Sequence, residues 1–189
     1  MGADRSLFLY INGLAGRFGP LDAVLSAVAN DYLVPVVLSL FLLWLWFAHP
    51  GTRRVQLALL AGAGAMGLGD GLIKLMNLLY YRPRPFTELP VRLIFYRPLD
   101  STFPSNGTAV VFILATAIFL GNRKAGVIAL AIASLYGFSR VFVGIHYPMD
   151  VLGGAAIGVL TSYGVWRLLP RLEPLPSWLV RLGRRLCLA

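Results

Sequence analysis

The sequence predicts an all-α, polytopic membrane helix bundle, and three observations predict it. Of 189 residues, 58% are hydrophobic and only 13% are charged, about half the charged share of an ordinary soluble domain. Five apolar runs approach or reach the roughly 17–25 residues that a helix needs to cross a bilayer. The basic residues, which set a formal net charge of +9, fall in short clusters between those runs, as topology signals do in membrane proteins. No Ser/Gly-rich or Pro-rich linker divides the chain, so residues 1–189 read as a single membrane-embedded domain.

The elements follow in order. Residues 7–15 and 21–29 are apolar but broken by Arg17, Gly19, Pro20 and Asp22, which predicts N-terminal helices lying on or dipping into one interface. The apolar runs at 33–48, 55–80, 105–120, 125–143 and 149–169 predict five transmembrane helices, or six if the N-terminal region supplies another. Trp44 and Trp46 fit an aromatic belt at the end of the first span. The start of the chain lacks the h-region and cleavage site of a signal peptide and is expected to be retained. Cys187 is the only cysteine, which rules out an intrachain disulfide or a cysteine-rich metal site.

Arg53, Arg54, Arg123, Lys124, Arg171, Arg181, Arg184 and Arg185 all fall on one side of a five-span arrangement, which should be the cytoplasm. Distributed this way, the positive charge points to membrane lipids as partners and away from nucleic acid. The opposite side holds the loop 81–104 and the short connection 144–148. Arg82, Arg84, Arg92, Arg97 and Arg140 also cluster there, against the charge rule, at the depth where a lipid phosphate sits.

The strongest chemical signal runs from Ser139-Arg140 through His146-Tyr147-Pro148-Met149-Asp150. Pro148 suits the first turn of a helix, which puts His146 just before a helix N-terminus, where backbone N–H groups favour an anion. Asp150 can hold one imidazole nitrogen protonated so that the other is free to attack phosphorus, and Arg140 offers a planar fork of donors. Singly, His146 also reads as an interfacial histidine and Asp150 as a helix-start residue. A second element, Ser101-Thr102-Phe103-Pro104-Ser105-Asn106-Gly107-Thr108, opens the third span with groups that suit an anion site or a plain N-cap. A third, Tyr81-Arg82-Pro83-Arg84-Pro85-Phe86, braces two arginines between prolines.

Together these residues resemble the type 2 phosphatidic acid phosphatase superfamily over nearly the whole chain. Within it the chain is most similar to the bacterial BcrC-type undecaprenyl-diphosphate phosphatases, through Ile11-Asn12-Gly13-Leu14, the stretch ending at Phe86, Asn122-Arg123-Lys124, and His146 through Gly153. The resemblance implies a phosphohistidine on His146, orientation by Asp150, and phosphate binding by Arg84, Arg140 and Ser105, with Asn106 and Arg82 beside them. It implies no cofactor and no metal. The expected substrate is a polyprenyl (undecaprenyl) diphosphate, hydrolysed at the extracytoplasmic face of a bacterial cytoplasmic membrane in recycling the carrier lipid of wall synthesis, a step tied to bacitracin resistance. Alternatives are phosphatidylglycerol phosphate, phosphatidate or a lipid A phosphate as substrate, or a catalytically impaired lipid-phosphate binding or transport protein.

Two departures from the family pattern matter. The family's motif lysine falls at Asn77, while Lys74 lies one turn earlier and follows Asp70 at i+4, so phosphate contact and an ion pair compete for it. The acid histidine of the Pro-Ser motif falls at Gly107, and His49 lies in the loop expected on the other side. Either the chain is inactivated or it works without that acid. An alcohol leaving group, with a pKa near that of water at about 15–16, needs a proton, whereas a phosphate with a second pKa of about 6 can leave as the anion. A diphosphate is therefore the substrate expected to tolerate Gly107, and Gly107→His is expected to raise activity, more so on monoesters.

Overall fold

The computed structural model describes residues 2–49 and 51–185, so Cys187 lies outside the described residues. Among the described residues nine α-helices follow one another: α1 (Ala3–Asn12), α2 (Gly19–Val28), α3 (Leu33–Ala48), α4 (Arg53–Leu79), the single turn α5 (Pro85–Glu88), α6 (Asn106–Gly121), α7 (Arg123–Phe142), α8 (Pro148–Leu168) and α9 (Leu175–Arg185). A 3₁₀ turn, Leu169–Leu172, extends α8. Among the described residues there is no strand.

Helix α6 is the axis of the bundle, packed against α8, α7, α4 and α3. Its Val111, Leu114, Ala115, Ala117 and Ile118 join Leu38, Leu42 and Leu45 of α3 and Ala129, Ala133 and Tyr136 of α7 in one core. Gly154 and Gly158 let α8 approach α6 closely. A Cβ at Gly154 would lie 2.3 Å from the Ser105 carbonyl oxygen, and one at Gly158 2.6 Å from that of Ala109. Two small residues four apart are the usual means of bringing helix backbones together in lipid. The outward faces of α3, α4, α7 and α8 expose Leu40, Leu78, Ile128 and Leu160, as lipid-facing surfaces do.

Length and composition qualify α4, α7 and α8 with its 3₁₀ extension as spans, and a fourth if α2 and α3, bent by 52° at their junction, count as one. Five apolar helices stand where the five predicted runs lie, but by length and composition only three, or up to four, of the described helices qualify as spans, against the five or six expected. Helices α3 and α6 have 16 residues each, about 24 Å at 1.5 Å per residue, short of a hydrocarbon layer of about 30 Å. Because α6 is enclosed by its neighbours, it need not match that thickness. Trp44 is exposed, whereas Trp46 is buried on the face of α3 that carries Leu38, Leu42 and Leu45. Trp46 is thus a packing residue, not the belt residue that the sequence suggested.

The two ends of the bundle differ. At one end Arg54 donates to the Leu120 carbonyl, while Arg53 pairs with Glu173 and donates to Ser177 of α9. At the other end the loop before α6, the α7–α8 connection and the N-terminal helices converge. Asn12 ties them, its amide donating to the Arg92 and Phe142 carbonyls, each at 2.9 Å, and its oxygen accepting from the Arg92 N–H.

Candidate active site

Three helix ends build the site. Helix α7 delivers Arg140 in its last turn. The chain then reverses through Gly144, whose φ of +96° is in the left-handed region that favours glycine, and a Cβ there would crowd the Arg92 carbonyl and Asn12 at 3.2 Å. Pro148 starts α8, where its fixed φ and missing N–H cost nothing. The Tyr147 N–H donates to Asp150 Oδ2 at 2.8 Å, so Asp150 is a helix-start residue as well as a partner of the imidazole. Helix α6 presents its first turn, Asn106 and Gly107, from the opposite side.

These parts enclose a cavity of about 350 Å³ lined by Arg84, Arg140, His146, Asn106, Gly107, Tyr96 and others, including Asp31 and Asp100. His146 is buried. Its Nδ1–H donates to the Thr102 carbonyl at 3.0 Å, a tautomer that leaves Nε2 as the free nitrogen, 3.5 Å from Arg140 Nη2. Asp150 Oδ2 lies 3.8 Å from Nδ1, too far for a hydrogen bond. The link runs through Thr102 instead, whose hydroxyl donates to Asp150 Oδ2 at 2.7 Å and lies 3.1 Å from Nδ1. Burial above all, with Arg140 and Arg84 adding to it and Asp150 opposing, lowers the imidazole pKa to about 4. The ring is therefore neutral at pH 7, the form that can attack.

The two cavity arginines are already engaged. Arg84 donates to the Ile145 carbonyl and to both the carbonyl and the carboxylate of Asp100. Arg140 donates to the Ala29 carbonyl and pairs with Asp31, while its Nε is buried without a partner. Asp31 also accepts from Tyr96, and burial followed by that bond pushes the Tyr96 hydroxyl up to about 12.

Not every residue singled out in the sequence reaches the cavity. Asn106 and Gly107 line it, but Ser105 is buried with its hydroxyl on Thr108 at 2.9 Å. Arg82 turns to the far side of Asp150, bridging it to Asp4 and stacking 4.2 Å over the Tyr147 ring. It holds Asp150 rather than facing the space where a phosphate would sit. Lys74 is 74% exposed, pairs with Asp70 at 2.7 Å and lies outside the cavity, as does Asn77. Sequence reasoning missed Thr102, Asp31, Asp100 and Tyr136. Thr102 sits inside a quoted motif, and Tyr136 precedes Arg140 by one helical turn, so those two had a signal. Among the described residues, no three His, Cys, Asp or Glu side chains gather as metal ligands.

Comparison with known proteins identifies the family and the fold. The sequence profile of the PAP2 superfamily matches residues 57–174. Undecaprenyl-diphosphatase BcrC of Bacillus subtilis (strain 168) is 31% identical over 180 residues, 95% of this chain and 91% of that protein. The crystal structure of Aquifex aeolicus LpxE superposes with a TM-score of 0.72 at 29% identity, covering 88% of this chain and 96% of that one. A PAP2-type phosphatidylglycerolphosphate phosphatase from Bacillus subtilis gives a TM-score of 0.66 at 22% identity, covering 91% and 87%; at that identity the likeness is one of fold.

Proposed function

This chain belongs to the PAP2 superfamily of lipid phosphatases, and from that premise we propose that it hydrolyses a polyprenyl (undecaprenyl) diphosphate to the monophosphate and phosphate through a phosphohistidine on His146. The observation that carries the proposal is the neutral, buried His146, its Nδ1 tied to Thr102 and its Nε2 beside Arg140 in a cavity shared with Arg84. In the first step Nε2 forms a bond to the terminal phosphorus while the bridging P–O bond breaks, and the electron pair departs with the polyprenyl monophosphate. As the ring becomes cationic, Asp150 stabilises it through the Thr102 hydroxyl, and Arg82 fixes the other carboxylate oxygen. Water then attacks the phosphohistidine and releases phosphate. Arg84, Arg140 and the N–H groups opening α6 neutralise charge on the transferred group.

The diphosphate is favoured because the leaving monophosphate, with a second pKa of about 6, departs without a proton, which suits a site with Gly107 where a side-chain acid would stand. We place the reaction at the extracytoplasmic face of a bacterial cytoplasmic membrane. The site end of the bundle lies opposite Arg53, Arg54, Arg123 and Lys124, and a cytoplasmic side enriched in Lys and Arg supports that orientation.

Phosphate release from undecaprenyl diphosphate and a panel of lipid monophosphates, by parent and His146→Ala side by side, tests the reading. Turnover of the diphosphate by the parent and none by His146→Ala is expected. Equal turnover by both sinks the mechanism. Silence from the parent on every lipid, with lipid binding retained, favours the binding or transport reading that Gly107 motivates.

A further inference from the structure

We infer that Tyr136 supplies the hydrogen-bond donor that the cavity lacks at Gly107, its hydroxyl reaching the leaving-side oxygen of a bound phosphate. The inference rests on the phosphatase reading of the same site. Tyr136 lies in α7, one turn before Arg140, so both side chains leave the same face of the helix. The Arg140 guanidinium carbon is 5.6 Å from the centre of the Tyr136 ring.

The Tyr136 hydroxyl is buried and has no hydrogen-bond partner. A buried O–H without a partner is uncommon and calls for a reason. Its position supplies one. A Cβ built on Gly107 would lie 2.3 Å from that oxygen, so the hydroxyl stands where a side chain at 107 would begin. Gly107 is part of the cavity wall, together with His146 and Arg140. Tyr136 is not itself part of that wall; it stands directly behind Gly107, the one residue of this turn that has no side chain to interpose. Arg140 Nε, the second unpartnered buried donor of this region, comes from the next turn of the same helix. A phosphate seated on the first turn of α6 gives both donors an acceptor.

The chemistry this allows is balanced without a further reagent. With a diphosphate the bridging oxygen leaves as part of a phosphate monoester anion, and Tyr136 only donates a hydrogen bond to it. With an alkyl monoester the oxygen must gain a proton. The Tyr136 O–H gives it, and the phenolate recovers one from the water that hydrolyses the phosphohistidine. The plain alternative is that Tyr136 merely fills space beneath Gly107, a role that phenylalanine performs equally well.

Tyr136→Phe separates the two roles, since it keeps the ring and removes only the oxygen. The parent and the variant are compared in detergent on farnesyl diphosphate and farnesyl monophosphate by initial rates, and on inorganic phosphate by calorimetric binding. We expect kcat to fall about tenfold on the diphosphate and a hundredfold or more on the monophosphate, with KM little changed, phosphate binding several-fold weaker and the unfolding midpoint no lower. Rates and phosphate affinity within twofold of the parent would overturn the inference while leaving the phosphatase reading intact. If the parent hydrolyses neither substrate, the function proposed above fails, and the phosphate arm alone decides on Tyr136. Weaker binding by the variant then supports the donor role, and equal or undetectable binding by both proteins refutes it.

Discussion

Replacing Gly107 with alanine adds one methyl group at a place where the structure has already put an oxygen. The new Cβ would stand 2.3 Å from the Tyr136 hydroxyl, more than 1 Å inside the roughly 3.5 Å at which non-bonded heavy atoms rest. The phenol lies in the α3–α6–α7 core and cannot retreat without disturbing it. Overpacking of this kind costs about 1–3 kcal/mol, against a gain of at most about 1 kcal/mol from alanine's better helix propensity. A net loss of up to about 3 kcal/mol is expected. With Tyr136→Phe in the same chain the nearest atoms are the ring carbons at 3.3 and 3.5 Å, which are near ordinary contact, so the overpacking cost should vanish. Tyr136→Phe alone should be neutral or slightly stabilising, because it deletes an unpartnered buried polar atom. Unfolding of all four proteins in one detergent gives the coupling, expected at about 1–3 kcal/mol. The reasoning is refuted if Gly107→Ala unfolds no more easily than the parent, or if the two changes add with less than about 0.5 kcal/mol of coupling. The same overlap revises what the sequence led one to expect of Gly107→His, which cannot simply restore an acid while the phenol holds its Cβ position.

Three further outcomes follow from the site. Thr102→Val removes the hydroxyl between Asp150 and the imidazole; at about 1.5–3 kcal/mol for a bond to a charged group, kcat should drop about ten- to a hundredfold with KM nearly unchanged, and an unaltered kcat would exclude the relay. The pH dependence of kcat/KM should show no loss near 6.5 from His146. Its attacking, neutral form persists until pH falls through the folded value of about 4, and because the unfolded ring binds its proton at about 6.5, stability from this group rises with pH across about 4 to 6.5; a difference in unfolding stability between parent and His146→Ala that stays flat across that window would contradict this. Arg140→Lys keeps the charge but loses the fork that holds Asp31, the Ala29 carbonyl and a place beside His146, so turnover should fall at least tenfold, and parental rates in the variant would count against Arg140 as a phosphate ligand.

What was legible in the sequence depended on distance along the chain. His146 and Asp150 are one helical turn apart and share a proline-started N-terminus, so their proximity could be read from spacing alone. The apolar runs marked α3, α4, α6, α7 and α8 because burial and lipid exposure both demand them. What failed to show was whatever depends on residues far apart in sequence meeting in space. Thr102 reaches Asp150 across 48 positions and Asp31 reaches Arg140 across 109, and although Thr102 stands in the motif before α6, no local pattern announces either contact. Arg82 and Arg84 look equivalent in the sequence, and a spacing of two in extended backbone would put them on one face, yet one reaches Asp150 and the other lines the cavity, a divergence set by the partners each finds far away in the chain. Gly107 read as a loss because a glycine shows what is missing and cannot show which neighbour has moved into the gap.

The carboxylates on the two cavity arginines give the site the character of an ion exchanger. Asp100, 67% exposed, and Asp31 are tethered counterions that keep the guanidinium groups compensated between turnovers. On the proposed function an arriving phosphate would not fill an electrostatic void; it would take the place of anions that remain attached nearby. In the proposed reaction, once the lipid tail has gone with its monophosphate, inorganic phosphate would compete for the same donors against two carboxylates at high effective concentration. The enzyme in this way carries its own eluent, and the step that clears the cavity needs nothing from outside the chain except water.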